Sequence, residues 1–334
     1  MMRIAVNGFG RIGRNFVRAF LCDKDAQKKM KLVAINIGPT KLELVAHLFK
    51  YDTLLGTFPG IITLRDNMLI IDGHEIIICN QTDPQKIAWG DLSIDWVIES
   101  SGHFTTRQKA QQHLDSGASS VLITAPATDE DVSIVMGVNR AIYNPDKHKI
   151  VSLGSCTTNA LMPILKVLDQ NYGIQRGMMT TVHAYTNTQV LLDVETSDPR
   201  RSRAAALNII PTKTGAADMI NKIIPELTGK ITTIALRVPV AKVSLIDLVV
   251  MTQKKMTQES VNSEFKRAAS TDLKNILDIT YEPLVSSDFS GCDTSVIVDG
   301  ELTEVIDDTM VKVFGWYDNE WAYSQRIKDF LLSI

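Results

Sequence analysis

Short apolar runs alternate with stretches of helical periodicity through the first half of the chain. Residues 3–6 (RIAV), 31–36 (KLVAIN), 96–99 (WVIE) and 120–124 (SVLIT) read as strands. They are apolar throughout rather than alternating, as expected for strands covered on both faces. Residues 11–20 and 106–116 carry a helical pattern between them. Residues 69–72 and 76–79 flank Gly73 and predict a hairpin. This β-α-β order predicts a mostly parallel sheet with helices on both faces. The second half differs. From Gly229 onward strand patterns dominate, at 232–238, 243–252, 294–299 and 310–316, with Asp299-Gly300 expected as a hairpin turn. A mixed or antiparallel sheet follows, and with it an α+β domain. The expected boundaries are residues 1–150, 151–316 and a last helical segment, 317–334, packing back on the first domain. That segment places Trp321, Tyr323, Ile327, Phe330, Leu331 and Ile334 near helical spacing.

Composition narrows the function classes. A chain of 334 residues is too long for one core and long enough for about two domains. With 35 basic and 38 acidic residues there is no basic excess, and the basic residues form no block beyond short pairs such as Arg200-Arg201. Nucleic-acid binding as a main role is therefore not expected. No run reaches the ~18 apolar residues of a membrane span. The chain enters a strand at once, without a signal-like leader, so a cytoplasmic setting is expected. Four scattered cysteines, Cys22, Cys79, Cys156 and Cys292, have no metal-ligand spacing and suit a reducing compartment.

Asn7-Gly8-Phe9-Gly10-Arg11-Ile12-Gly13 contains GxGxxG directly after a strand and at the start of a helix. Gly8 allows the tight turn, Gly10 lets backbone approach a pyrophosphate, and Gly13 lets helix and strand pack closely. The helix N-terminus then faces the phosphates. This is the signature of a Rossmann-type dinucleotide-binding domain. Its usual acidic partner is missing, because the second strand ends at Asn36 and Ile37 follows. A carboxylate there favours NAD and repels the 2′-phosphate of NADP. Nearby Thr40 and Lys41 could meet such a phosphate or be ordinary loop residues.

Cys156 stands in Gly154-Ser155-Cys156-Thr157-Thr158-Asn159, before a helical run. Ser155 is placed to cap that helix, and a thiol at its N-terminus gains nucleophilic character. A small buried residue at a turn is the plain alternative. His183 ends an apolar and threonine run (MMTTV), so a helix and a returning strand could bring it to Cys156. Thiol plus imidazole is the pattern of an activated nucleophile.

Seven stretches then occur in one order: NGFGRIGR (7–14), HLFKYDT (47–53), SCTTN (155–159), TTVHAYTN (180–187), IIPTKTGAA (209–217), LRVPVAKVS (236–244) and WYDNEWAYS (316–324). Over nearly its whole length the chain resembles the phosphorylating glyceraldehyde-3-phosphate dehydrogenases. The resemblance implies Cys156 as nucleophile and His183 as base. It implies a substrate-phosphate site at Thr186 and Arg237, and an inorganic-phosphate site at Ser155, Thr157, Thr214 and Gly215. Its cofactor positions are Gly8, Gly10, Arg11, Ile12, Gly13, Ile37, Ser101, Gly102, Thr124, Asn319 and Tyr323. It also implies glyceraldehyde 3-phosphate and inorganic phosphate as substrates, NAD or NADP as cofactor, no metal, and a homotetramer. In that tetramer the S-loop, near 184–206, lines a neighbour's cofactor site.

Several positions depart from the family pattern. Ile37 stands where NAD-preferring members have Asp, and Thr82 replaces an Arg near the adenine. Both open the way to NADP or dual use. Val194-Glu195 replaces a Leu-Pro pair, and the Glu195 carboxylate works against a 2′-phosphate. Thr188 replaces an Asp and Ala160 a second Cys, neither central to the chemistry. The nearest competing activity is erythrose-4-phosphate dehydrogenase, whose relatives lack the threonine found at Thr186. A non-catalytic RNA- or surface-binding protein on the same fold is the competitor from another class.

Overall fold

The computed structural model describes all residues, 1–334, and divides into two compact units. One comprises Met1–Ile134, Ile142–Gly154 and Ser324–Ile334; the other comprises Val135–Ala141 and Ser155–Tyr323.

The first unit runs β1 (Met2–Asn7), α1 (Arg11–Leu21), α2 (Lys24–Lys29), β2 (Met30–Asn36), α3 (Leu42–Lys50), β3 (Ile62–Arg65), β4 (Met68–Ile71), β5 (His74–Cys79), β6 (Trp96–Glu99), α4 (Arg107–Asp115), β7 (Ser120–Ile123), β8 (Val132–Ser133) and β9 (Ile150–Ser152). Its sheet order is β3-β4-β5-β2-β1-β6-β7-β9-β8. Pairing is parallel except for the β3-β4-β5 meander, which contains the hairpin expected around Gly73. Strand β1 lies centrally between β2 and β6, where the winding reverses. Ligands of open α/β sheets bind at such a switch point, beyond the carboxyl ends of the strands. Ile4, Ala5, Val6, Val97 and Ile98 are fully buried, consistent with strands covered on both faces.

The second unit contains α5 (Cys156–Tyr172), β10 (Ile174–Ala184), β11 (Ile210–Thr212), α6 (Ala216–Ile223), β12 (Ile231–Val238), β13 (Ser244–Thr252), α7 (Gln258–Ser270), β14 (Leu277–Thr280), β15 (Val296–Asp299), β16 (Glu304–Ile306) and β17 (Met310–Tyr317). Helix α8 (Trp321–Leu332) follows. The sheet order is β11-β12-β10-β13-β17-β15-β14, with β16 on β17. It is mixed: β10 pairs β12 in parallel and β13 in antiparallel fashion. Strand β13 alternates strictly, with Ile246, Leu248 and Val250 turned to the core and Asp247 turned away. Helix α5 is buried on almost every side through Leu161, Ile164, Leu165 and Leu168, and the inner face of the sheet packs on it.

One turn differs from the sequence expectation. Asp299-Gly300 is not a hairpin, because β15 pairs with β14 and β17 and not with β16. The tight turn joins β16 to β17, and Asp307 and Asp308 there hold left-handed backbone at φ 51° and 58°. Gly300 is small for a packing reason: a Cβ on it would lie 2.6 Å from the Tyr281 ring.

Candidate active site

The nucleophile position is built by a cap. The Ser155 hydroxyl accepts from Thr158 N at 3.1 Å, and Thr158 Oγ1 accepts from Ser155 N at 3.1 Å. This capping box starts α5 at Cys156, so the thiol sits on the first turn of a buried helix. Strand alternation supplies the base. Met179, Thr181 and His183 share the inner face of β10, and Tyr317 occupies the inner face of β17. Cys156 Sγ lies 3.6 Å from His183 Nε2. The register of β10 on β12 pairs His183 with Arg237, which brings the guanidinium to the imidazole. Arg237 Nη1 is 2.6 Å from His183 Nδ1 and donates to Ala184 O at 2.9 Å. Nδ1 is itself 2.7 Å from Ala184 O.

Burial governs the protonation states. It pushes the Cys156 thiol up, opposed by the Arg237 charge and by hydrogen bonding from Thr157. Burial, then the Arg237 charge, holds His183 down at about 3. The imidazole is therefore neutral near pH 7 and able to accept a proton. Burial also raises Tyr317, whose hydroxyl meets Thr157 Oγ1 at 2.9 Å and Thr181 Oγ1 at 2.8 Å.

The remaining anion-site positions fall into three places. Thr186 is half-buried, its hydroxyl 3.1 Å from that of Thr188. Thr214 and Gly215 stand at the N-terminus of α6, where Gly215 is the cap residue without a side-chain bond. Thr157 is buried and its hydroxyl is turned to Tyr317. Arg237 Nε is buried without a hydrogen-bond partner, as expected of a cation shaped to meet an anion.

In the first unit a cavity of about 650 Å³ lies beyond the ends of β1, β2 and β6. Gly8, Gly10, Ile37 and Ser101 line it, together with Arg14, Thr40, Gln81 and Thr82. Gly8 has φ +92° and backs onto Ser101 backbone, whereas a Cβ on Gly10 would meet nothing within 4 Å. Gly10 thus leaves open space where a pyrophosphate could approach. No carboxylate side chain lines the cavity. Arg11, Ile12, Gly13, Gly102 and Thr124 do not line it. Arg11 is paired with Asp52, Gly13 packs under the Gly8 carbonyl, and Thr124 bonds back to Glu99 O. In the second unit Asn319 and Tyr323 are both buried, and Asn319 Oδ1 accepts from Ser244.

Sequence reasoning gave no role to Tyr317 or Arg201. Arg201 Nε donates to Thr212 Oγ1 at 2.9 Å, and its charge lowers both His183 and Arg237. Tyr317 lies inside the WYDNEWAYS stretch, so its motif was visible although its contact was not.

Residues 2–107 match the family described as glyceraldehyde 3-phosphate dehydrogenase, NAD binding domain, and residues 155–319 match its C-terminal domain. The glyceraldehyde-3-phosphate dehydrogenase of Geobacillus stearothermophilus is 48% identical over 328 residues, covering 98% of this chain and 96% of that protein. The Streptomyces coelicolor enzyme is 48% identical, covering 98% and 97%. Glyceraldehyde-3-phosphate dehydrogenase 2 of Bacillus subtilis is 46% identical, covering 99% and 96%. The chain belongs to the glyceraldehyde-3-phosphate dehydrogenase family. The GxGxxG turn accordingly lies in the family's NAD-binding domain, and the Cys156–His183 pair in its C-terminal domain. No helix is long and apolar enough to cross a membrane.

Proposed function

We propose that this enzyme oxidises D-glyceraldehyde 3-phosphate to 1,3-bisphosphoglycerate, using inorganic phosphate and NAD(P). The observation that carries this reading is the thiol–imidazole pair at 3.6 Å with a buried guanidinium behind it. Cys156 Sγ adds to the aldehyde carbon while the thiol proton passes to His183 Nε2 and on to the carbonyl oxygen, giving a hemithioacetal; His183 takes that hydroxyl proton as the hydride leaves and returns it to the sulfur when the C–S bond breaks. The nicotinamide, when bound, supplies a hydride acceptor, and the oxidised carbon remains on Cys156 as a thioester. A phosphate oxygen then attacks that carbon, the C–S bond breaks, and an acyl phosphate leaves with the thiol restored.

Arg237 links substrate binding to the base. A guanidinium only donates. While Arg237 donates to Nδ1, the ring proton sits on Nε2 and faces the sulfur. When the substrate phosphate draws Arg237 away, Nδ1–H can donate to Ala184 O, and Nε2 becomes the acceptor. Thr186 would share that phosphate. Ser155, Thr214 and Gly215 at the two helix N-termini would hold the attacking one. The buried Thr157 hydroxyl, already on Tyr317, would act there mainly by fixing the turn.

Gly8, Gly10 and Ser101 would hold the cofactor in the first unit, with Arg11, Ile12, Gly13, Gly102 and Thr124 shaping the surrounding turns. The family resemblance assigns Asn319 and Tyr323 to the cofactor as well. We infer use of both NAD and NADP, because Ile37 follows the end of the second strand where an acid would be expected, and no carboxylate lines the cavity. The four free cysteines suit a cytoplasmic location. A homotetramer is supported by apolar side chains left in water on the S-loop.

The test is the initial rate with glyceraldehyde 3-phosphate and inorganic phosphate, read by cofactor absorbance with NAD and NADP in parallel. Turnover with both cofactors, lost in Cys156→Ser while cofactor binding persists, is the expected result. Turnover on erythrose 4-phosphate alone would reassign the substrate. Near-normal rates in Cys156→Ser would remove the covalent mechanism.

A further inference from the structure

The glycine turn of the first unit rests on a buried acid. Glu99, at the end of β6, is 1% exposed and accepts from four donors. Oε2 takes Asn7 Nδ2 at 2.5 Å and His113 Nε2 at 3.1 Å. Oε1 takes the Ser101 backbone N–H at 2.8 Å and the Ser101 hydroxyl. The direction of every bond is fixed. Trp89 Nε1 can only donate, and it lies 3.2 Å from His113 Nδ1. His113 therefore carries its proton on Nε2 and gives it to Glu99. Asn7 spends its amide N–H on Glu99, so its Oδ1 accepts from Asn36 Nδ2 at 2.7 Å. Asn36 Oδ1 in turn accepts the backbone N–H of Gln81 at 2.9 Å.

This chain joins the carboxyl ends of β1, β2 and β6 and the loop after β5. Asn7, Asn36, Gln81 and Ser101 all line the cavity, whereas Glu99 does not. We propose that Glu99 is the positioning residue of the cofactor cavity, holding its polar floor in one arrangement through Asn7 and Ser101, with His113 as its neutral donor. The inference rests on the cofactor reading of this cavity. Only a carboxylate accepts on both oxygens. Glutamine would set an N–H₂ group either against the Asn7 and His113 N–H donors or against the Ser101 backbone N–H, so at least one fixed donor loses its acceptor whichever way it faced.

ADP-ribose binding by calorimetry tests this without needing turnover. Glu99→Gln is expected to weaken ADP-ribose binding about tenfold and raise the KM for NAD about as much, for lost bonds to a charged acceptor. Its kcat at saturating NAD is expected to stay within about twofold, since floor order acts on binding rather than on the chemical step. Alkylation of Cys156 by iodoacetamide is expected to be unchanged, reporting an intact second unit. A folded Glu99→Gln with unaltered ADP-ribose affinity would overturn the proposal. If that variant does not fold, Glu99→Asp decides, since it keeps the charge outside the cavity lining but withdraws it by one methylene from Asn7 and Ser101. Affinity loss at an unchanged melting temperature supports the proposal; unchanged affinity overturns it. Absence of ADP-ribose binding by the unmodified enzyme would instead sink the cofactor reading, and this inference with it.

Discussion

At the scale of single residues, the site is governed by how burial treats charge. His183 is held at about 3, far below its ordinary value of 6.5. Between these values the unfolded chain binds a proton that the folded chain does not. Stability contributed by this group is therefore present above pH 6.5 and is lost as pH falls toward 3. From neutral pH to pH 4.5 the loss is about 2–3 kcal/mol, two pH units below the unfolded value. Urea midpoints at the two pH values, for wild type and His183→Asn, check this. The variant is expected to show a shallower acid dependence, and an equal dependence would mean that His183 is protonated in the fold. Ile37 carries a second expectation. Ile37→Asp puts a carboxylate on the cavity wall after β2, where the cofactor reading sets the ribose 2′ position, and is expected to lower the NADP/NAD ratio of kcat/KM at least about tenfold. An unchanged ratio would show that Ile37 does not set the preference. The meeting of Cys156 with His183 and the place of Ile37 on the cavity wall were legible because each occupies a patterned position in sequence. Tyr317 and Arg201 were not, since their roles arise from strand register and loop path, which no local spacing encodes.

Among elements, the glycine turn separates fold from function by position. A Cβ on Gly8 would lie 2.5 Å from the Ser101 backbone, and one on Gly13 would lie 2.4 Å from Gly8 O. Both contacts are with backbone and cannot relax cheaply. Gly10 faces open space. Alanine at 8 or 13 is thus expected to destabilise the first unit by several kcal/mol, in the range of overpacking and left-handed strain. Alanine at 10 is expected to leave the melting temperature within about 2 °C and to weaken cofactor binding about tenfold or more. Thermal unfolding beside cofactor titration distinguishes the three. A Gly10→Ala enzyme that binds cofactor normally would move the pyrophosphate elsewhere. The parallel strands were legible because double-sided burial leaves a continuous apolar run. The hairpin at 299–300 was misread because Asp-Gly looks the same whether glycine serves a turn or clearance for Tyr281. The true turn at Asp307-Asp308 has no glycine, and aspartate tolerates left-handed backbone well enough to take its place.

For the whole molecule, the decisive quantity is apolar surface without a cover. Leu191, Leu192, Leu207, Ile209 and Met178 are 68–83% exposed in the single chain. The first two lie on the S-loop, Leu207 ends a short 3₁₀ turn just after it, Ile209 precedes β11, and Met178 lies on the outer face of β10. Scattered apolar side chains need no explanation, but a group this exposed on and around one loop is what a subunit interface leaves behind when its partner is removed. A second copy of the chain is the occupant the family resemblance implies. Sedimentation equilibrium at micromolar concentration is expected to give four times the chain mass of 37.0 kDa. The pair Leu191→Glu and Leu192→Glu is expected to reduce the assembled mass while leaving the far-UV circular dichroism unchanged, because neither side chain supports the core of its own chain. If cofactor affinity falls with the mass, the S-loop serves a neighbour's cofactor site as well as the interface. If the mass falls and the affinity holds, the loop is an interface alone. A wild-type chain that sediments as a monomer would leave these leucines without a function in assembly.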